Sequence, residues 1–339
     1  MKTIDSKSRL SFLTYDRTIG LSTMQGRGFY YPTDSHVATD GTIYVVNRSL
    51  ESDIRGVRVT VTNLESDFLG TFGSYGEDDG QYIWPTAITA DSAGRLYISD
   101  ELTQRITISD SSGKFLAKWG IPGTRAGEFN GPSGLAFDSN DELYVVDHHN
   151  HRIQKFTKDG EFLNAFGSEG AGDGQFYLPW GITIDAKGEV YVADWGNDRI
   201  QKFSPHGELL AKYGSSGRED GQFVRPASVV VDQGGYIYIA DWGNERVQVL
   251  DSEGGFIQKL RGEATLSKWA EEYFEINTQE AEARNKSDLE PDMEFFIDDP
   301  HEESSHIEKY FWAPTSIKLG ENGKVYVTES NRHRIQVYQ

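Results

Sequence analysis

The chain has 339 residues, a formal net charge of −20, 36 glycines and no cysteine. The missing cysteines exclude disulfides, thiolate zinc sites and cysteine nucleophiles. So negative a surface repels phosphate backbones, so no nucleic-acid partner is expected, and it disfavours anionic membranes as well.

From the N-terminus, Met1 to Phe12 is polar and lacks the apolar run of a secretory signal. No later stretch approaches the roughly 20 apolar residues of a spanning helix. No membrane association is expected, and the expected compartment is the cytoplasm, unless a leader has been trimmed. Next comes Tyr15 to Phe29, YDRTIGLSTMQGRGF, which matches the Gly-rich exit of a strand at Gly160 to Phe176.

From Tyr31 onward one unit recurs to the end of the chain. Its clearest copies are Gly131 to Phe156 (GPSGLAFDSNDELYVVDHHNHRIQKF), Leu178 to Phe203 (LPWGITIDAKGEVYVADWGNDRIQKF) and Arg225 to Leu250 (RPASVVVDQGGYIYIADWGNERVQVL). Weaker copies begin at Tyr31, Trp84 and Ala313. The anchoring prolines are Pro32, Pro85, Pro132, Pro179, Pro226 and Pro314, with spacings of 53, 47, 47, 47 and 88.

One copy reads as four strands: Gly181 to Asp185, Val190 to Asp194, Arg199 to Phe203 and Glu208 to Tyr213. Val, Ile, Tyr and Phe fill them, while Gly, Asn and Asp mark the turns. A lone four-stranded sheet cannot bury both faces. Stacking copies around an axis does so. The pattern predicts an all-β, six-bladed β-propeller with four-stranded antiparallel blades. The chain stops on a third strand, Arg334 to Gln339, so Tyr15 to Phe29 is expected to supply the missing fourth strand and close the last blade. This reading makes residues 1–339 one domain, with residues 263–311 inserted between blades five and six.

The insertion holds 15 acidic and 4 basic residues, a net of −11. Thr265 to Arg284 is expected to be partly helical, anchored by Leu266, Trp269, Phe274 and Ile276. Met293, Phe295, Phe296 and Ile297 add an apolar run. A lid or docking element is expected here, because long ordered loops in compact folds are often functional. Deleting Glu263 to Phe311 is then expected to abolish binding and spare cooperative unfolding.

The sequence resembles the NHL-repeat family. The likeness rests on Gly174-Gln175-Phe176 leading to Pro179, Gly221-Gln222-Phe223 leading to Pro226, the Tyr-Val-Ala-Asp strand end, and the Asn-x-Arg-Ile-Gln-Lys-Phe run. It implies a propeller that serves as an interaction platform. Related six-bladed propellers include metal-dependent lactonases and zinc-dependent amidating lyases, whose ligands cluster just after the proline. Here those positions are Thr33, Thr86, Ser133, Trp180, Ala227 and Thr315, with no His, Asp or Glu. No cofactor is expected, although an axial metal near Asp34 stays an open alternative.

Strand order places the fourth-to-first connections and second-to-third loops on one end, the top. Trp84, Trp180 and Trp312 flank the prolines there, Trp195 and Trp242 sit in the loops, and Trp269 lies in the insertion. Either they pack loops together, or they form an aromatic cup for an organic ligand. His148, in a top loop, and Ser228 are further ligand-binding candidates. Asp34 and His36 share a strand face and are the catalytic candidates, against the alternative of a core histidine. The acid–arginine pairs Asp100/Arg105, Asp147/Arg152, Asp194/Arg199, Asp241/Arg246 and Glu329/Arg334 recur and read as structural clamps. No phosphate loop, nucleophile elbow or HExxH motif is present. The reading is a propeller that binds a small organic ligand, peptide or protein on an aromatic, acidic top face under an inserted lid. The alternative is a lyase or hydrolase, with or without a metal, at the top of the axis.

Overall fold

The computed structural model describes residues 12–50, 53–292 and 298–339. The polar N-terminal stretch and the apolar run Met293, Phe295, Phe296 and Ile297 therefore lie outside the described residues. Six four-stranded antiparallel sheets surround one axis. In the sixth, Tyr15–Ile19 pairs with Arg334–Tyr338 and closes the ring. Three helices follow blade five: α1 (Lys268–Ile276), α2 (Thr278–Lys286) and α3 (Pro300–His306). No helix among the described residues is long and apolar enough to cross a membrane.

The recurring acid is a hub. Asp194 lies at the end of the second strand and is fully buried. It accepts hydrogen bonds from Arg199 Nε at 2.7 Å, Gln201 Nε2 at 3.0 Å, the Asn197 amide and the Tyr177 backbone N–H at 2.8 Å. Arg199 continues to the carbonyls of Gly172 and Gln175 in the incoming linker. Strands two and three and the linker are thus tied at one point. Asp147 and Asp241 build the same hub, and Glu329 does so with Arg334 and Gln336. Blade two departs from the expected pair. Arg105 donates instead to the Glu77 and Gln81 carbonyls, and Asp100 takes the backbone N–H groups of Leu102 and Thr103. Thr103 and Thr107 stand there where blades three, four and five have the longer Asn and Gln. In blade one Asn47 replaces the acid, and Arg58 binds the carbonyls of Thr23 and Gly28.

A second latch joins neighbouring blades. The residue before Arg in the second-to-third loop adopts positive φ and accepts the N–H of the residue preceding the next blade's proline. The pairs are Gln104 with Gly131 (2.6 Å), His151 with Leu178 (3.0 Å), Asp198 with Arg225 (2.7 Å), Glu245 with Ala313 (2.6 Å) and His333 with Tyr31 (2.9 Å). His151 and His333 accept through Nδ1, so each must be unprotonated there.

The insertion staples the closure. At three other junctions a linker aromatic packs on a third-strand aromatic: Phe129 on Phe156 at 5.4 Å, Phe176 on Phe203 at 5.4 Å, Phe311 on Tyr338 at 6.0 Å. In blade one the third-strand position is Thr62. Trp269 of α1 enters instead, 5.7 Å from Phe29 and fully buried, donating its indole N–H to the Ser66 carbonyl. Ser267 caps α1 and also binds the Gly20 carbonyl. Ile276, expected as an anchor, is 82% exposed, because α1 turns its other face to the ring. Because Trp269 and Phe311 both fill junctions, deleting Glu263 to Phe311 should damage folding, which reverses the expectation from sequence.

Trp269→Ala should lower stability by about 3–5 kcal/mol, the usual cost of emptying a buried aromatic slot. Thr62→Phe in that background should recover part of the loss in a thermal melt. Acid should also destabilise the ring. Burial holds His36, His148 and His333 at about 4, against about 6.5 in an unfolded chain. At these three sites the unfolded chain therefore binds more protons between those values, and their contribution to stability falls as pH drops through them, by about 1.4 kcal/mol per unit for each histidine, opposed by buried carboxyls that the fold raises, such as Glu245 at about 7. His333→Gln keeps the acceptor, as Gln104 does, and should flatten the fall in melting temperature between pH 7 and 4.

Candidate ligand pocket at the top of the axis

Two rings of equivalent positions face the top of the axis. The inner ring is the residue after each proline. The outer ring is the first residue of each second-to-third loop: Arg48, Glu101, His148, Trp195, Trp242 and Ser330. All of these except Glu101 line a cavity of about 340 Å³, together with Thr33, Leu178, Trp180, Ala227 and Thr315. That volume lies within the usual range for organic ligands.

Aromatic surface dominates one side. Trp195 and Trp242 have ring centroids 6.3 Å apart at 43°, forming an open wedge. Arg225 stacks over Trp195 with its guanidinium carbon 4.7 Å from the ring centroid. Trp180 meets His148 edge-on at 4.9 Å. His148 Nδ1 lies 2.9 Å from the Pro179 carbonyl, which can only accept, so the proton sits on Nδ1 and Nε2 is a bare acceptor. Burial pulls this imidazole down to about 4, so it is neutral at pH 7. Across the cavity Arg48 pairs with Glu101 at 3.1 Å and lies over Trp84, 4.4 Å from the ring centroid. Among the described residues no carboxylate lines the cavity, so the expected acidic character is not found in its described lining.

Below the pocket the axis narrows to a chamber of about 30 Å³, the room of one water, lined among others by Asp34, Ser228, Ser316 and Lys318. Glycines let the first strands close in: a Cβ on Gly134 would meet the Trp180 carbonyl oxygen at 2.6 Å, and one on Gly181 the Ala227 carbonyl oxygen at 2.5 Å. Asp34 is buried and occupied by the Ile88 N–H, Ser316 and Lys318. Ser228 accepts the Ile317 N–H at 3.2 Å. His36 lies past the constriction, at the bottom mouth.

The sequence candidates thus divide. Trp180, Trp195, Trp242 and His148 share the top pocket. Trp84 supports Arg48 at its rim. Asp34 and Ser228 hold the constriction, and Asp34 makes no hydrogen bond to His36. Trp312 stands aside, donating to His301 Nε2 at 3.2 Å. Trp269 belongs to the closure. No described residue of the insertion lines the pocket, and α3 instead rests on blade five through His301 and Glu245, 2.6 Å apart. The described part of the insertion is therefore no lid. Sequence reasoning passed over Arg48, Glu101 and Ser330. The signal was available, since each occupies the offset of His148 and Trp195 in its own copy. Among the described residues no group of three His, Asp or Glu side chains is placed to hold a metal.

The NHL repeat family model matches residues 129–156, 176–203, 223–250 and 311–338. The chain is an NHL-repeat β-propeller. No curated protein sequence matches it. Among solved structures this propeller is similar to a catalytically inactive virginiamycin B lyase from Staphylococcus aureus with quinupristin. The TM-score there is 0.57, with 11% identity over 96% of this chain and 85% of that one. A streptogramin B lyase gives 0.56 and 13%, over 96% and 97%. A protein of unknown function from Bacteroides thetaiotaomicron gives 0.59 and 19%, over 91% and 69%. At such identities the likeness shows the shared propeller fold alone.

Proposed function

We propose that this propeller is a binding module that takes a small, flat organic ligand in the top pocket. The observation that carries the reading is the convergence of Trp180, Trp195 and Trp242 on one cavity of about 340 Å³. Rings of this kind gain large apolar burial with little loss of conformational entropy. The wedge between Trp195 and Trp242 suits a planar group. The bare Nε2 of His148 asks for an O–H or N–H on the ligand. Arg48 offers donors, but Glu101 already balances its charge, so no strong demand for an anion follows. A peptide or protein that presents an aromatic side chain would meet the same chemistry.

A second reading, a lyase, is supported by His148. A neutral imidazole with a fixed tautomer and a free Nε2 in an apolar cavity is placed to take a proton from a bound molecule, with burial lowering its basicity to about 4. Two of the similar solved structures are lyases built on the same fold.

Binding of a planar dye such as anilinonaphthalene sulfonate tests the site through energy transfer from tryptophan. Trp195→Ala and Trp242→Ala should each weaken the dye about tenfold, or ~1.4 kcal/mol. Unchanged affinity in both would remove the pocket from consideration. His148→Gln separates the readings once a ligand is found: a binder keeps most of its affinity, whereas a lyase keeps affinity and loses turnover.

A further inference from the structure

We propose that the bottom mouth of the axis is a second ligand site, built for a small neutral polyhydroxylated molecule of the monosaccharide class. The fourth residue after each proline forms one layer there: His36, Thr89, Ala136, Thr183, Val230 and Lys318. All six line a cavity of about 220 Å³. The constriction of about 30 Å³ separates it from the top pocket, so the two mouths cannot share one ligand.

Four of the six side chains are polar, and they come from blades one, two, four and six. The His36 ring and the Thr89 and Thr183 hydroxyls engage no hydrogen-bond partner among the described residues. Lys318 spends one contact on Asp34, at 3.1 Å. These side chains are half-buried and turn unspent hydrogen-bonding capacity from four separate blades toward one cavity, where a ligand can take the place of water.

The balance of charge and donors selects the ligand class. Asp34 offsets Lys318. Burial beside Lys318 holds His36 at about 4, hence neutral at pH 7. The layer therefore offers no net charge for an anion or a cation. Lys318 only donates, a neutral imidazole donates once and accepts once, and each threonine does both. Hydroxyl groups, which also do both, answer that mixture. Ala136 and Val230 supply apolar surface for the C–H face of such a molecule. His36 itself is backed by Tyr44, with ring centroids 6.4 Å apart, which fixes the imidazole at the mouth.

Calorimetry or saturation-transfer NMR on the full chain with D-glucose as the probe tests this. The Thr89→Val/Thr183→Val double variant removes two hydroxyls while keeping side-chain shape. Glucose should bind the wild type saturably, and at least tenfold more weakly in the double variant. Melting temperature and dye binding at the top should not change. Acetate and tetramethylammonium, as charge controls, should fail to displace glucose. Three results would overturn the proposal: no saturable glucose binding, equal binding by the double variant, or displacement of glucose by acetate. A loss of dye binding at the top through the tryptophan variants bears only on the other site, so the two readings fail separately.

Discussion

A buried carboxylate sets the frame of each regular blade. Asp147, Asp194 and Asp241 are fully enclosed, and burial pushes their carboxyls up, against the arginine, amides and backbone N–H groups that pull them down. Such a group is tolerated only when every lone pair is used. That demand fixes geometry. Arg199, Gln201, Asn197 and the Tyr177 N–H must arrive together, and they come from the third strand, the loop and the preceding linker. The hub is therefore a registration device that places each loop at the same height and angle to the axis.

Registration also sets the surface proposed above to bind a ligand. Once each blade is pinned, the residue just after the acid is free to vary without cost to the fold. It is Arg48, Glu101, His148, Trp195, Trp242 and Ser330 in successive blades. The positions that repeat build the scaffold, and the one that does not repeat faces the cavity. The same logic holds below the constriction, where the layer of His36, Thr89, Ala136, Thr183, Val230 and Lys318 is also varied. Function belongs to such sites and not to the fold that carries them.

Most of the architecture was legible because the repeat is explicit. Proline spacing, the Asp-to-Arg offset and the orphan third strand at Arg334–Tyr338 determine blade number and closure. The pocket was half legible. Trp180, Trp195, Trp242 and His148 could be placed by register, but the height of a residue along the axis could not. Asp34 and His36 share a strand face, yet Asp34 lies in the constriction and His36 at the mouth below it, because each step along an inner strand moves a side chain down the axis. Trp269 was misplaced for another reason. Its slot is defined by an absence, Thr62 standing where blades three, four and six carry Phe156, Phe203 and Tyr338, and a gap in a distant strand leaves no mark on the local sequence. The blade latches were missed because Gln104, His151, Asp198, Glu245 and His333 share a role, an acceptor at positive φ, without sharing a residue type.

The acidity of the chain is concentrated outside the residues that line the pocket. More than half of the net −20 lies in residues 263–311, and α1 of that segment is stapled at the outer closure seam. What a ligand meets at close range is the nearby ion pair of Arg48 and Glu101, a neutral imidazole and three indoles. The global charge can steer how partners approach, whereas affinity inside the cavity depends on apolar contact and two or three directed hydrogen bonds. An acidic protein can in this way hold a neutral, flat ligand. Its ring closure depends on the same acidic segment, through one tryptophan packed where blade one lacks an aromatic of its own.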